Sequence, residues 1–562
     1  MNRFILAVFM TAVAAPGFAQ ASKDSLADLI QLGNRKAALE QIRAGADVNA
    51  AQPDGTRPIH WAVYKLDYEL IDALIAKKAK VDVANEFAST PLAEAAKLAD
   101  ARMVKTLLSA GANVESPNPD GETVLMLAIK TGELPIVETL VTAGANVNTI
   151  EKFHKQTPLM YAAAANKNAA EMVKLLLSKG ASVKPRALYS DWGSQITNEP
   201  RAQYRPVGGL TALLYAARSG CHGCVESMIG AGADVNLPTP EGVTALMLAI
   251  DNGYNEVAKL LLDKGANPNV WDWWGRTALY IAVDRKEAGG AGAAGGRGAA
   301  PAAGAGGRGG RGGTPVAARA TGPAPVSDMD LINTLLAAGV DPNPELNMHR
   351  PSRGGNSGRF VDNLLSTGCT PLFRAAMNND VEVARALLDK GANPNINTMG
   401  LTAFLVAAGV QTGGRSPGGG GTINETLMDL MIQHGADVNA QVTGTKTYSM
   451  RVSRAPSTNE GMTALHVAAQ TGRVDRVKFL LDKGANPEIL DASARKAIDL
   501  VGARAAAPAG APGAAAVANP ATPATLAAGA ATGGAGRGAP AGPKPEDLAA
   551  IRTMLQSAAS KK

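Results

Sequence analysis

The sequence predicts an all-α solenoid: about 11 stacked helix pairs joined by β-hairpin fingers, closed by end caps and interrupted by long insertions expected to be disordered. Three observations carry this reading. A T-P-L-H-like tetrad recurs with a unit of 33 residues, and a Gly-Ala-Asn/Asp-x-Asn close follows it. The composition, 46% apolar but only 4% aromatic, suits small helices packed closely. A fixed period of this length marks repeats that each bury an apolar face against their neighbours.

The first residue of the tetrad falls at Arg57, Thr90, Thr123, Thr157, Thr211, Thr244, Thr277, Thr370, Thr402 and Thr463. Successive gaps are 33, 33, 34, 54, 33, 33, 93, 32 and 61, so the unit is lengthened only in places. The close appears at Gly45, Gly111, Gly144, Gly180, Gly232, Gly265, Gly391, Gly435 and Gly484. Degenerate copies stand at Lys78-Ala79-Lys80 and Gly339-Val340-Asp341. Within 242–269, Thr244 is placed to cap a first helix through its hydroxyl, and Gly253 ends that helix. Asn255 opens a second helix, in which Val257, Leu260 and Leu261 recur at helical spacing. Gly265 is positioned as the left-handed residue that closes it, and Asn267-Pro268-Asn269 turns the chain into a hairpin.

The period, the tetrad (Met462-Thr463-Ala464-Leu465-His466) and the close (Gly144-Ala145-Asn146-Val147-Asn148) strongly resemble the ankyrin repeat family. The resemblance covers residues 24–501 apart from insertions. It implies a curved stack of helix pairs with fingers along one edge, and protein–protein recognition in general. Arg57 departs from the pattern, and Lys78-Ala79-Lys80 lacks the closing glycine. Those two helix ends are expected to fray.

Residues 1–21 read as a signal peptide: Arg3, an apolar run from Phe4 to Ala15, and small residues Ala19 and Ala21 at an A-x-A cleavage site. Cleavage is expected after Ala21, with Ala19 as the alternative, giving an exported protein that is periplasmic or extracellular. The apolar run is shorter than the roughly 20 residues a bilayer requires, and no transmembrane segment is expected in the mature chain. A capping repeat follows at 22–53, carried by Leu26, Leu29, Ile30, Leu39 and Ile42. Repeats run over 54–286, with a finger insertion at 184–207, and again over 327–501, with insertions at 344–366, 412–422 and 440–460. A Gly/Ala/Arg-rich flexible insertion spans 287–326. An Ala/Pro/Gly-rich linker spans 502–543, and 544–562 supplies a C-terminal capping helix through Leu548, Ile551, Met554 and Leu555.

The extended fingers differ in composition from the flexible insertions. They hold Tyr189, Trp192, Tyr204 and Arg205, then Arg350, Arg359 and Phe360, then Tyr448 and Arg451; a finger of ordinary length holds Trp271, Trp273 and Trp274. Aromatic residues and arginine dominate binding hot spots. These twelve residues are therefore the candidate contacts to a protein partner, and the fingers are expected to form one binding edge.

Catalytic motifs fail on context. Gly414-Arg415-Ser416-Pro417-Gly418 matches G-x-S-x-G but lies in a glycine-rich loop, without the strand-to-helix turn that the chemistry requires. Gly290-Ala291-Gly292-Ala293-Ala294-Gly295 matches a phosphate-binding loop with no preceding strand. Cys221-His222-Gly223-Cys224 is a C-x-x-C at the turn between two helices, read as a possible local disulfide. It lacks the further ligands zinc would need, and Cys369 is left over. His60 and His466 stand at the fourth tetrad position, where a structural hydrogen bond is expected. No cofactor and no metal site is expected.

The charge of +6 invites a nucleic-acid reading. Without Arg3 it is +5, and Arg297, Arg308, Arg311, Arg319, Arg415, Arg504 and Arg537 all lie in 288–326, 412–422 and 502–543, with no acid in those stretches, so the remainder comes to −2. The Arg-Gly tract at 306–313 has no interleaved aromatics for base stacking, so a nucleic-acid partner is disfavoured. The expectation is a monomeric, non-catalytic scaffold that binds a protein, as yet unidentified, through its fingers and concave helix face. The alternative is a thiol redox or disulfide-handling protein using Cys221 and Cys224.

Overall fold

In the computed structural model, the described residues are 25–190, 207–290, 325–346, 368–398, 400–410, 424–443, 459–503 and 543–561. The chain divides into two compact units, Met1–Ser182 and Val183–Lys562.

The first unit holds five helix pairs. They are α1 (Leu26–Gln31) with α2 (Arg35–Arg43), α3 (Pro58–Tyr64) with α4 (Tyr68–Ala76), and α5 (Pro91–Lys97) with α6 (Ala101–Ser109). The last two are α7 (Val124–Thr131) with α8 (Leu134–Thr142), and α9 (Pro158–Ala163) with α10 (Ala169–Ser178). First helices stack on first helices from α1 to α9, and second helices pack as α2 on α4, α6 on α8 and α8 on α10, with Tyr68 of α4 donating to Asp100 at the head of α6. The seams are apolar: Leu70, Ile71 and Leu74 of α4 and Met103, Val104 and Leu107 of α6 are all buried. The pair α1–α2 has no tetrad, yet Ile30 and Ile42 are sealed from solvent, as an end cap requires.

The second unit opens on a two-stranded antiparallel ribbon, β1 (Tyr189–Ser190) and β2 (Val207–Gly208), in which Tyr189 faces Gly208. Pairs α11 (Ala212–Ser219) with α12 (His222–Gly230) and α13 (Ala245–Asp251) with α14 (Asn255–Asp263) follow. Next come α15 (Ala278–Gly290) with α16 (Asp328–Ala337), α17 (Pro371–Met377) with α18 (Val381–Asp389), and α19 (Ala403–Ala407) with α20 (Glu425–Gln433). First helices stack from α11 to α19 and second helices from α12 to α20. The remaining elements are α21 (Ala464–Gln470), α22 (Val474–Asp482), a 3₁₀ turn (Ala497–Leu500) and α23 (Pro545–Ser560). The last helix seals the end of this unit with Ile551 and Leu555, both buried, against α22 and the 3₁₀ turn.

Local chemistry explains the repeat. Each threonine from Thr90 to Thr463 at the head of a tetrad accepts the backbone N–H three residues on; Thr244 accepts from Met247 at 3.2 Å and Thr370 from Phe373 at 3.2 Å. This satisfies one of the N–H groups a helix start leaves unpaired. At the other end, Gly265 takes φ +87° so that its N–H meets Leu262 O and the N–H of Ala266 meets Leu261 O.

Of the two ends expected to fray, the one at Lys78 is closed, while α3 starts without a side-chain cap from Arg57. Lys78 adopts φ 64° and makes the same pair of bonds, its N–H to Ile75 O and the Ala79 N–H to Leu74 O. At the first tetrad the Arg57 guanidinium reaches Asn49 O at 2.6 Å, while His60 Nδ1 accepts the Arg57 N–H at 3.2 Å. Helix α15 also outruns the other first helices. Lys286 stands where Gly132, Gly220 and Gly253, but also Leu66, Ala99 and Asn379, turn left-handed; here the helix runs on to Gly290, with Lys286 and Glu287 both engaged by Asp380.

Candidate functional site

The fingers are built by one recurring device. A side-chain oxygen near the start of each turn collects the backbone N–H groups of the tip. Asp272 Oδ1 accepts from Trp274 (3.0 Å) and Arg276 (2.9 Å), and its other oxygen accepts from Arg276 Nε at 2.7 Å. Asn85 accepts from Phe87 and Ser89, and Glu151 accepts from Phe153, His154 and Gln156. Each tip then donates to a carbonyl of the preceding finger: Glu86 to Asp54 (2.9 Å), Lys152 to Asp120 (2.7 Å) and Trp273 to Glu241 (2.7 Å). The tips are rigid because their backbone groups are satisfied locally and by the neighbouring finger.

The extended fingers are closed at their bases. Ala187 N–H bonds Leu210 O and Gly209 N–H bonds Leu188 O around the β1–β2 ribbon. Leu346 and Gly368 flank the second finger base (Gly368 N–H to Leu346 O, 2.8 Å), and Val442 exchanges bonds with Met462 and Gly461 at the third. In the first of them, the Arg186 guanidinium donates to Gly209 O (3.0 Å) and to Pro238 O (2.8 Å), tying the ribbon to the following finger. The second unit thus holds a linked row of three successive fingers, around 186–209, 238–243 and 271–276.

Apolar side chains on this row face water. Trp271 is 63% exposed, Leu188 54%, Tyr189 48% and Val207 40%. Trp273 is partly buried. Trp274 is not a surface residue: at 3% exposure its ring belongs to the core, and its N–H is drawn into the Asp272 turn. The sequence shows three adjacent tryptophans, but only the turn geometry separates the outward one from the inward one. Trp192, Tyr204, Arg205, Arg350, Arg359, Phe360, Tyr448 and Arg451 lie outside the described residues. The G-x-S-x-G match also lies outside them, as does the G-x-G-x-x-G match apart from Gly290.

In the first unit two finger tips expose aromatic rings that sequence reasoning missed: Phe87 at 74% and Phe153 at 67%, the latter edge-on to His154 with ring centroids 4.6 Å apart. Both stand two positions after the turn acceptor, Asn85 or Glu151, but so does the buried Trp274 after Asp272, so that position alone does not signal exposure. On the first-helix side, Tyr161 donates to Glu122 Oε1 at 2.8 Å and Lys130 pairs with the same carboxylate. Partial burial opposes the charge on Glu122, but the Lys130 and Tyr161 contacts outweigh it and hold the carboxyl below its ordinary value.

His60 and His466 are structural. In each, Nδ1 accepts the backbone N–H at the helix cap, so the proton sits on Nε2, which donates to Val83 O and Ser89 O or to Arg495 O, all at 3.1 Å. Burial lowers both pKa values. A second buried polar group was not foreseen. Asp284 pairs with Arg374 at 2.8 Å, Lys286 pairs with Asp380, and the Glu287 carboxyl hydrogen-bonds Asp380. Burial first, and then the Asp380 charge, push Glu287 up to about 7. Asp380 also caps α18 through the Val383 N–H (3.0 Å). Cys221 and Cys224 are disulfide-linked, and Cys369 is a buried thiol. Among the described residues no group of side chains is arranged to hold a metal ion, and no helix is long and apolar enough to cross a membrane.

Stacked helix pairs with capped starts, glycine-closed ends and linked fingers define a helical repeat protein. Ankyrin repeat models match residues 26–118, 92–187, 196–272 and 213–289, and single-repeat models match 367–399 and 460–492. The chain belongs to the ankyrin repeat family, whose repeats imply a protein-binding scaffold and are typically non-catalytic. Among curated proteins it is 33% identical over 133 residues to the putative E3 ubiquitin-protein ligase XBAT34 of Arabidopsis thaliana, covering 23% of this chain and 28% of that protein. It is 28% identical over 138 residues to alpha-latrocrustotoxin-Lt1a of Latrodectus tredecimguttatus, covering 25% of this chain and 8% of the toxin. The matched segments thus span under a third of either relative.

Proposed function

We propose that the protein is a non-catalytic scaffold that holds a protein partner on its finger tips. In the second unit the contact is centred on Trp271, Tyr189 and Leu188, in the first on Phe87 and Phe153, with the first-helix side flanking them. One observation carries the reading. A tryptophan 63% exposed on a turn whose backbone is fully organised is apolar area held rigidly in water, and a rigid anchor loses little entropy on binding. A Trp side chain can bury about 150–250 Å², enough to make it a hot spot when a partner covers it. Export supports the choice of partner pool: the Arg3 and Phe4–Ala15 pattern directs the search to extracytoplasmic proteins, and sequencing the N-terminus of the mature chain tests it.

The test compares affinity capture by wild type, Trp271→Ala and the double variant Tyr189→Ala/Trp271→Ala, with folding checked by circular dichroism. The reading expects a protein whose recovery falls at least about tenfold with Trp271→Ala, the size expected of a hot spot. Unchanged recovery from both folded variants would contradict it.

A further inference from the structure

The Cys221–Cys224 disulfide takes no part in the finger rows. Sibling repeats of the same chain show what the fold asks of these two positions. At the register of Cys221 four of them carry an oxygen cap that accepts the N–H three residues on: Asp67 from Leu70 (3.1 Å), Asp100 from Met103 (2.8 Å), Asp380 from Val383 (3.0 Å) and Asn424 from Leu427 (3.2 Å), while Glu133, Tyr254 and Arg473 make no side-chain cap bond. At the register of Cys224 the same four carry Leu70, Met103, Val383 and Leu427, all buried. An oxygen and an apolar side chain therefore suffice. In α12 both are sulfur, and the cap bond from the Cys224 N–H falls on Cys221 Sγ at 3.3 Å.

The two sulfurs differ in access. Cys224 is 0% exposed, whereas Cys221 is partly exposed and is followed by the exposed His222. We propose that this pair is a thiol–disulfide exchange site, entered at Cys221 Sγ by the thiol of a small molecule or peptide. The incoming thiol gives up its proton and bonds to Cys221 Sγ as thiolate, the Sγ–Sγ bond breaks, and its electron pair leaves on Cys224 Sγ, which takes up that proton. A second thiol attacks the external sulfur of the mixed disulfide, expels Cys221 as thiolate, and departs as the external disulfide. Two external thiols are oxidised by two electrons, and the protein disulfide is reduced by two. The Cys221 thiolate is a stabilised leaving group, because it sits on the first turn of a nine-residue helix with an N–H already directed at it. Cys224, buried and covalently next to it, is placed to resolve the mixed disulfide in the reverse direction.

The folded full-length chain is treated with reduced glutathione and then alkylated, and peptides are mapped by mass spectrometry. The expected result is alkylation of Cys221 but not of Cys369 in the folded chain, with Cys224 recovered as a free thiol on later denaturation and the circular dichroism spectrum unchanged. Separately, Cys224→Ser is exposed to oxidised glutathione and is expected to take up one glutathione on Cys221, at least about tenfold faster than on Cys369. A cysteine-containing unfolded peptide in place of glutathione distinguishes a protein thiol from a small one. A disulfide that stays closed until the chain is denatured would overturn the proposal, as would a folded Cys224→Ser variant that takes up no glutathione. The wild-type arm decides the matter even if the variant does not fold.

Discussion

Lys78 occupies the position at which the other second helices from α2 to α22 end in glycine, and it holds φ at 64°. A side chain in that region costs about 1 kcal/mol, offset in part by the greater chain entropy that a glycine loses on folding. Lys78→Gly should therefore raise stability by about 0.5–1 kcal/mol, measured by urea unfolding. The titrating residues give opposite slopes with pH. His60 and His466 have depressed values in the fold, so their stabilising contribution is complete above the ordinary value of 6.5 and is lost as pH falls below it. Glu287 is raised to about 7, so its contribution is complete below the ordinary carboxyl value of 4.5 and is lost as pH rises through 7. Glu287→Gln should raise the melting temperature relative to wild type at pH 8 by a few degrees and leave it nearly unchanged at pH 4.5. Equal shifts at the two pH values would contradict the assignment. Lys78 and the two histidines were legible from the repeat, but the Glu287 site was not: Lys286 meets Asp380 across 94 residues, most of them taken up by the insertion and the second long finger.

At the scale of elements, the closing asparagine explains why the close is a repeat marker at all. Asn236 donates from Nδ2 to Gly265 O (3.2 Å) and accepts the Asn267 N–H on Oδ1 (2.7 Å), so one amide clamps the start of its finger to the end of the next helix pair. Asn148, Asn343 and Asn395 do the same. Asn236→Ala loses both bonds and should cost about 1–2 kcal/mol, with Asn236→Asp, which keeps only the acceptor, in between by thermal unfolding. The helices were legible because period, cap and close are local signals. Finger orientation was not, because Trp271 and Trp274 differ only in how the Asp272 turn rotates them. The long α15 was not legible, because Leu66 and Ala99 turn left-handed at the same register without glycine, and the run-on goes with the tertiary pairing of Lys286. Its neighbours Asp284 and Glu287 became buried charges only through contact with α17 and α18.

Across the whole molecule, the basic balance belongs to segments that the repeat does not use. Seven arginines without acids lie in 288–326, 412–422 and 502–543, and the remainder of residues 22–562 is slightly acidic. A chain of this kind is not organised to attract a polyanion through its repeats. It presents apolar side chains on its fingers: Phe87 and Phe153 in one unit, Leu188, Tyr189, Val207 and Trp271 in the other. Hydrogen exchange of the protein alone and bound to the partner captured through Trp271 tests the scaffold reading most directly. The account predicts new protection concentrated in the finger segments, including 186–190, 238–243 and 271–276, with the second helices α12, α14 and α16 unchanged. Protection confined to those second helices, with the fingers exchanging as in the unbound chain, would contradict it.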